Sequence, residues 1–105
     1  MLRERIGTDI IAWECDYPHT DTTWPESPEF AWKELTDAGC SDEDIHKITW
    51  QNTARFFDWD PFQHNKKEES TVGALRSRAT DVDTTGMSRA EWKSKNEAEG
   101  VGVFA

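Results

Sequence analysis

The stretch that decides the fold is "IIAWECDYPHTDTTWPESPEF", which occupies residues 10–30. It begins with a short apolar run, residues 10–15, and an Asp-Tyr-Pro turn closes that run. A run of this length, β-branched at its start and bounded by a turn, is typical of a strand covered on both faces in a parallel sheet. We therefore predict an α/β fold in which residues 10–15 form a buried strand.

The side chains of this predicted strand alternate between its two faces. Glu14 and Asp16 share one face, and the apolar face carries Ile11, Trp13 and Cys15. Burial of a carboxylate costs free energy unless the group is paired or binds a metal. Two carboxylates on one side of a buried strand are therefore unusual, and each needs a partner or a metal.

Local signals predict a helix directly after the loop at residues 17–27. Ser27 is expected as its N-cap, and the following Pro and Glu suit the first turn. Gly39 is a natural terminator, because a glycine accommodates the left-handed conformation that ends many helices. Phe30 and Leu35 are expected to face the core.

A second helix is predicted almost at once. Ser41 is its expected N-cap, and acidic residues fill the first turn. A stripe at helical spacing then contains Ile45, Ile48, Asn52 and Phe56. We expect this stripe to face inward, with the polar Asn52 interrupting it.

The chain divides by composition into an aromatic first part and a polar tail. Residues 1–62 are predicted to hold the strand, the loop after it and the two helices. Residues 63–105 show no sustained periodicity and are predicted to be largely flexible. Ser88 and Glu91 form a capping-box pattern, which predicts a short helix near residues 88–99.

The charge of −9 excludes two classes of partner. Neutralising phosphates requires clustered Lys and Arg, so neither nucleic acid nor an anionic membrane is an expected partner. No leader pattern and no apolar run near the roughly 20 residues of a spanning helix occurs, which favours the cytoplasm. The two cysteines, Cys15 and Cys40, are expected to be reduced and buried as small apolar residues.

Two segments of the chain resemble the C-terminal end of the amidohydrolase-related family. They are "AWECDYPHTDTTWPES", residues 12–27, and "EDIHKITWQNTARFF", residues 43–57. The Asp-Tyr-Pro-His turn with its Trp-Pro is the more specific element, and Asn-x-x-Arg-x-Phe supports it. The resemblance covers about residues 8–60, and relatives of the family include decarboxylases of the aminocarboxymuconate-semialdehyde and resorcylate type.

The resemblance implies a metal-dependent hydrolase with a TIM (β/α)8 barrel. The chain would be a C-terminal fragment of that barrel, the last strand plus the closing helices, so that the barrel is incomplete in this chain. Asp16 would lie at the C-terminal tip of the eighth strand, on the face where barrel enzymes carry their chemistry. By analogy Asp16 is a catalytic residue and a ligand of a divalent metal, usually zinc, which lowers the pKa of bound water to about 7.

The resemblance also gives roles to the neighbours of Asp16. His19 would be a second catalytic residue, acting on the substrate side or behind the metal; the alternative is a turn histidine bonded to a nearby carbonyl. Glu14 would project into the barrel below Asp16, as a partner of the metal ligands or of a basic residue on another strand.

Three further residues receive alternatives or a structural role. Asp21 is expected to make local side-chain-to-backbone bonds or to line the substrate pocket. Trp24 is expected to anchor the loop against the barrel rim or to stack on substrate. Asn52 is expected to tie the last helix to the barrel through backbone hydrogen bonds.

The rest of the metal site is not in this sequence. A barrel needs about 200–250 residues, and the family takes its other ligands from a His-x-His and from middle strands. The histidines here are His19, His46 and His64, with no His-x-His. We therefore expect that an N-terminal barrel part is missing. Either the chain is a fragment with Met1 as an internal start, or a separate chain carries the earlier strands.

The function that follows is metal-dependent hydrolysis of a small-molecule substrate, in which metal-activated water attacks a C–N or C–O bond. The chain alone is expected to be inactive, and the complete enzyme is compatible with a homo-oligomer. One alternative is a non-oxidative decarboxylase on the same barrel. The other is a non-enzymatic acidic interaction module whose aromatic surface binds a partner.

Overall fold

The computed structural model describes residues 2–19 and 21–100. Met1 and Thr20, in the first predicted part, and residues 101–105, in the predicted tail, lie outside the described residues. The described residues form helices joined by turns and irregular segments. The helices are α1 Leu2–Ile6, α2 Ser27–Asp37, α3 Asp42–His46, a π-helical turn Lys47–Gln51, α4 Asn52–Phe56, a 3-10 helix Lys67–Ser70, α5 Val72–Arg78 and α6 Arg89–Ala98.

The helix predicted after the loop is present as α2. Its N-cap is Glu26, and Ser27 is instead the first helical residue. Gly39 follows the helix with a φ of +76°, in the left-handed region expected of a terminating glycine. Ala31 is buried, but Phe30 is 47% exposed, which corrects the prediction that it faces the core. Consecutive residues of an α-helix lie about 100° apart around its axis, so Phe30 points away from the side on which Ala31 is buried.

The second predicted helix is present as residues 42–56, where α3, the π-helical turn and α4 follow without a break. The Ser41 hydroxyl accepts the Asp44 N–H at 3.2 Å, as expected of an N-cap. Ile45, Ile48 and Asn52 are buried as predicted.

Phe56, the last member of the predicted stripe, is 81% exposed, so this part of the prediction is wrong. A π-helical turn contains more residues than an α-helical turn. The turn at Lys47–Gln51 therefore shifts the phase of the residues that follow it. As a result Phe56 leaves the buried side of the helix.

The predicted strand at residues 10–15 is not a strand in the described part of the chain. A strand exists only where a neighbouring strand pairs with it, and residues 2–19 and 21–100 offer none. On one edge of the segment, the helical run formed by residues 42–56 takes the place of a partner strand. The Trp13 N–H donates to the Ile48 carbonyl at 3.0 Å, and the Ile11 carbonyl accepts from Asn52 at 2.8 Å.

Backbone bonding along this segment alternates. Residues 11, 13 and 15 bond to the helical run or to the loop that follows. Within the described residues, the backbone groups of residues 10, 12 and 14 make no hydrogen bond. Alternate residues of an extended chain direct their backbone groups to opposite edges. The bonding therefore leaves one edge of the segment open.

The core is small for the length of the chain. The buried apolar residues of the described part are Ala31, Ile45 and Ile48, and both cysteines are half-buried instead of fully buried as predicted. The radius of gyration is 16.5 Å, whereas a compact domain of this length has about 13 Å. The accessible surface is 8458 Å², against about 6,000 Å² for a compact monomer of this mass. The chain thus leaves much more surface open than a self-contained domain does.

The tail contains more helix than its composition predicts. The helix predicted near residues 88–99 is present as α6, where Ser88 and Glu91 cap each other's backbone N–H groups at 3.3 and 2.7 Å. The 3-10 helix and α5 were not anticipated, because neither has an apolar stripe in the sequence. Among the residues that the structure describes, no helix has the length and apolar character needed to cross a bilayer.

Candidate metal centre

The rim loop, residues 16–26, connects the segment at residues 10–15 to α2. Backbone turns fold it tightly: the His19 N–H donates to the Asp16 carbonyl at 2.9 Å, and the Thr22 N–H donates to the His19 carbonyl at 3.2 Å. The Thr22 hydroxyl also donates to the Cys15 carbonyl. These bonds fold the loop back over the end of the segment that precedes it.

Asp16 begins the loop in an uncommon backbone conformation. Its φ is +53°, in the left-handed region that few residues other than glycine enter. Aspartate and asparagine are the main exceptions, because their short polar side chains can bond locally. The reversal at Asp16 starts the turn that brings His19 and Asp21 beside its carboxylate.

The side chains of Asp16, His19 and Asp21 form a cluster, called here the rim cluster. One ligand atom of each lies within 4.8 Å of those of the other two. The closest approach joins Asp16 Oδ2 and His19 Nδ1 at 3.4 Å. All three side chains are exposed, those of Asp16 and His19 by 53% and 69%. The rim cluster is therefore open to solutes.

The donor set of the rim cluster fits a divalent cation. Two carboxylates and one imidazole give the three nitrogen and oxygen ligands that catalytic zinc sites use. Donor atoms at about 2.1 Å from a tetrahedral ion lie about 3.4 Å apart, and Asp16 Oδ2 and His19 Nδ1 have that separation. Asp21 joins them by rotation of an exposed side chain, which costs little.

The structure separates the residues predicted for this site into two groups. His19 and Asp21 lie with Asp16, and the position of Asp21 makes it a candidate donor, a role that the sequence reasoning did not give it. The spacing Asp-x-x-His-x-Asp is the signal that could have found it. Glu14 is exposed and outside the cluster, and within the described residues it has no ion pair.

Trp24 lies beside the rim cluster and packs against Tyr17, with ring centroids 4.9 Å apart. The two rings form one side of a cavity of about 350 Å³. His19 lines the same cavity, so the rim cluster adjoins it. The opposite side comes from the tail and includes Arg89, Trp92 and Lys95.

Arg76 of α5 fastens the tail to the end of the rim loop. Its guanidinium forms a two-point ion pair with Glu29, one contact being 2.9 Å long, and donates to the Pro25 carbonyl at 2.9 Å. The hydrogen bonds from Arg76 lower the pKa of Glu29 from 4.5 to about 2. The ion pair is exposed, so its role is to select the position of the tail more than to stabilise the fold.

This pair makes the attachment of the tail dependent on pH. Because the pKa of Glu29 is lowered, the stabilisation is complete above 4.5, the ordinary value, and is lost as the pH falls toward about 2. We expect an NMR titration of the Glu29 carboxyl to show a midpoint near 2, and Arg76→Gln to return it to the ordinary range. A midpoint near 4.5 in the unchanged chain would mean that the pair does not form in solution.

The Asn52 side chain holds the segment at residues 10–15 against the helical run. Its amide donates to the Thr8 carbonyl at 2.6 Å and to the Ile11 carbonyl at 2.8 Å. Its side-chain oxygen accepts from Arg55 at 3.1 Å. These bonds join the helical run to the segment that leads into the rim cluster.

Comparison with known families places these features in context. The family model described as Amidohydrolase matches residues 2–59, more than half of the 105 residues. The match contains the segment at residues 10–15, the rim loop, α2 and the helical run, and it ends before the tail. A search of curated proteins finds no match. On the extent of the family match, the chain belongs to the amidohydrolase family.

Proposed function

We propose that the chain carries part of the catalytic centre of a metal-dependent hydrolase. One observation supports this most: three metal-binding side chains converge on the loop at the end of residues 10–15, inside the stretch that matches the amidohydrolase family. The rim cluster would hold a divalent cation, with zinc as the first choice. The proposal places the enzyme in the cytoplasm, where Cys15 and Cys40 stay reduced.

The residues of the rim loop would divide the work. A cation held there supplies a Lewis acid, which lowers the pKa of water toward 7. Asp16, as a carboxylate, would hold the cation and accept the proton of the attacking water on its free oxygen. His19, as one of the three donors, would hold the cation at the edge of the neighbouring cavity, and Asp16 would pass the proton that it has accepted to the leaving nitrogen or oxygen. The outcome would be cleavage of a C–N or C–O bond.

We also propose that residues 1–62 form the closing part of a (β/α)8 barrel, with residues 63–105 as an addition to it. The open edge at residues 10, 12 and 14 supports this, since it offers backbone groups to an incoming strand. The accessible surface supports it further, because it exceeds that of a compact monomer by about 2,400 Å². The missing barrel part would cover this excess and supply the remaining strands.

A non-oxidative decarboxylase of the aminocarboxymuconate-semialdehyde type is the second candidate. Arg89 and Lys95, across the cavity from His19, provide positive charge suited to a carboxylate substrate. Hydrolysis and decarboxylation are separated by product analysis of the complete barrel with amides, lactones and aromatic carboxylates. A chelator should abolish the activity. Full activity after the metal has been removed would exclude the metal-dependent reading.

The third alternative, an acidic interaction module, and the barrel proposal predict different unfolding behaviour for the isolated chain. Because the described core has three buried apolar residues, we expect the isolated chain to unfold over a broad temperature range, without a sharp calorimetric transition. A module that acts alone would instead melt cooperatively and stay monomeric. Differential scanning calorimetry with analytical ultracentrifugation distinguishes the two, and a cooperative monomer would contradict the barrel proposal.

A further inference from the structure

The cavity beside the rim cluster is built from two parts of the chain that lie far apart in sequence. Its loop side lies inside the stretch that matches the amidohydrolase family, and its tail side lies outside it. The tail is held close at two points. Arg76 bonds to Glu29 and Pro25, and Gly86 lies so near Glu26 that a Cβ there would be 3.0 Å from its carboxyl. The second wall of this cavity thus comes from the tail, outside the family match.

The charges on the tail side are unevenly balanced. Hydrogen bonds from Thr85 lower the pKa of Asp83, with a smaller contribution from the nearby charge of Lys95, so the lining carries an anion close to Lys95. Arg89 also lines the cavity, and within the described residues it has no ion pair or hydrogen bond. A guanidinium binds planar oxyanions through two parallel hydrogen bonds. Arg89 therefore leaves the cavity with one cation available to a ligand.

The remaining lining is flat and apolar. Tyr17 and Trp24 pack together on the loop side, and Trp92 lies on the tail side. A volume of about 350 Å³ is at the small end of the range for ligand pockets. Aromatic walls around so small a space suit a single ring.

We propose that the tail, through Arg89 and Trp92, forms the recognition wall of a pocket for a small aromatic anion, held next to the rim cluster. The anionic group binds the Arg89 guanidinium, and the ring lies between Trp92 and the pair formed by Tyr17 and Trp24. This inference rests on the proposed function for its meaning, since the ligand would be the substrate or an analogue of it. Its physical content is independent of the metal.

Benzoate is a suitable probe, with benzamide as its neutral isostere and acetate as its ring-free counterpart. We expect benzoate to shift the Trp92 indole resonance of the full chain in a saturable NMR titration, with benzamide and acetate binding at least about 10-fold more weakly. Arg89→Gln should weaken benzoate binding by about 10-fold. Lys93→Gln, on the same helix but outside the cavity, should leave it unchanged.

The outcomes separate the two proposals. Equal binding of benzoate and benzamide, or binding that Arg89→Gln leaves intact, overturns the pocket while Zn²⁺ binding by the rim cluster can still stand. Benzoate binding that depends on Arg89, in a chain that binds no Zn²⁺, supports the pocket and overturns the metal centre. Trp92→Leu tests the ring contact by itself and should weaken benzoate but not acetate.

Discussion

Asp16→Asn is expected to weaken Zn²⁺ binding to the chain by more than about 100-fold, measured by isothermal titration calorimetry near neutral pH. Loss of a partner behind a metal ligand already costs about 10–100-fold in affinity, and Asp16 is proposed as a ligand itself. The substitution removes the negative charge and one anionic donor from the rim cluster, leaving His19 and Asp21. Two donors do not make the three-ligand site that zinc requires.

Asparagine is the right replacement because of the backbone. Asp16 has a φ of +53°, and asparagine enters this region as readily as aspartate does. Alanine at the same position would add a backbone cost of about 1–2 kcal/mol. With alanine, a loss of metal affinity could then come from a changed loop conformation instead of the lost carboxylate. Asp16→Asn therefore isolates the carboxylate.

The chain also contains a matched control. Asp58 is an exposed aspartate with a φ of +48°, so it shares both the residue type and the backbone region of Asp16. It is not part of the rim cluster. Asp58→Asn should leave Zn²⁺ affinity unchanged. Equal losses in both variants would show that the metal responds to overall charge, and the proposed centre would then be wrong.

The parts of the fold that the sequence predicts well are those governed by neighbouring residues. The Ser41 cap, the Ser88–Glu91 box and the terminating Gly39 all act within one helical turn, and all three are present. The family relationship was also visible, because residues 12–27 and 43–57 carry its motifs in a fixed order. Short-range chemistry is encoded where it acts.

The misses have the opposite origin. Residues 10–15 have the composition of a strand, but strand formation depends on partners, and the described residues contain no strand to pair with. Phe56 departs from its stripe because the π-helical turn before it shifts the helical phase, and no local motif announces that turn. In each case the structure depends on residues outside the short sequence pattern from which the prediction was made.

The candidate site shows both behaviours. Asp16, His19 and Asp21 lie within six residues, so their convergence follows from one turn. The wall that carries Arg89 and Trp92 reaches the loop through the pair of Arg76 with Glu29, separated by 47 residues. Since both partners are common surface residues, no pattern distinguishes this pairing from the many others that the composition allows.

Asn52→Asp is expected to release the segment at residues 10–15 from the helical run. The replacement keeps the shape of the side chain but exchanges its NH₂ group for an oxygen that faces the Thr8 and Ile11 carbonyls, 2.6 and 2.8 Å away. Two hydrogen bonds are lost and the half-buried acceptors stay unpaired, at a cost of about 3 kcal/mol. That corresponds to a roughly 100-fold shift in the local opening equilibrium.

Hydrogen exchange of the Trp13 amide measures this opening directly. Its N–H donates to the Ile48 carbonyl only while the segment lies against the helical run, so its exchange should accelerate by about 100-fold in Asn52→Asp. Asn65→Asp makes the same chemical change at an exposed position and should leave the rate unaltered. Because the segment leads directly into Asp16, loss of the Asn52 hydrogen bonds should also weaken Zn²⁺ binding, though less than Asp16→Asn does. Unchanged Trp13 exchange would show that Asn52 does not hold this segment, and the rim cluster would then need another support.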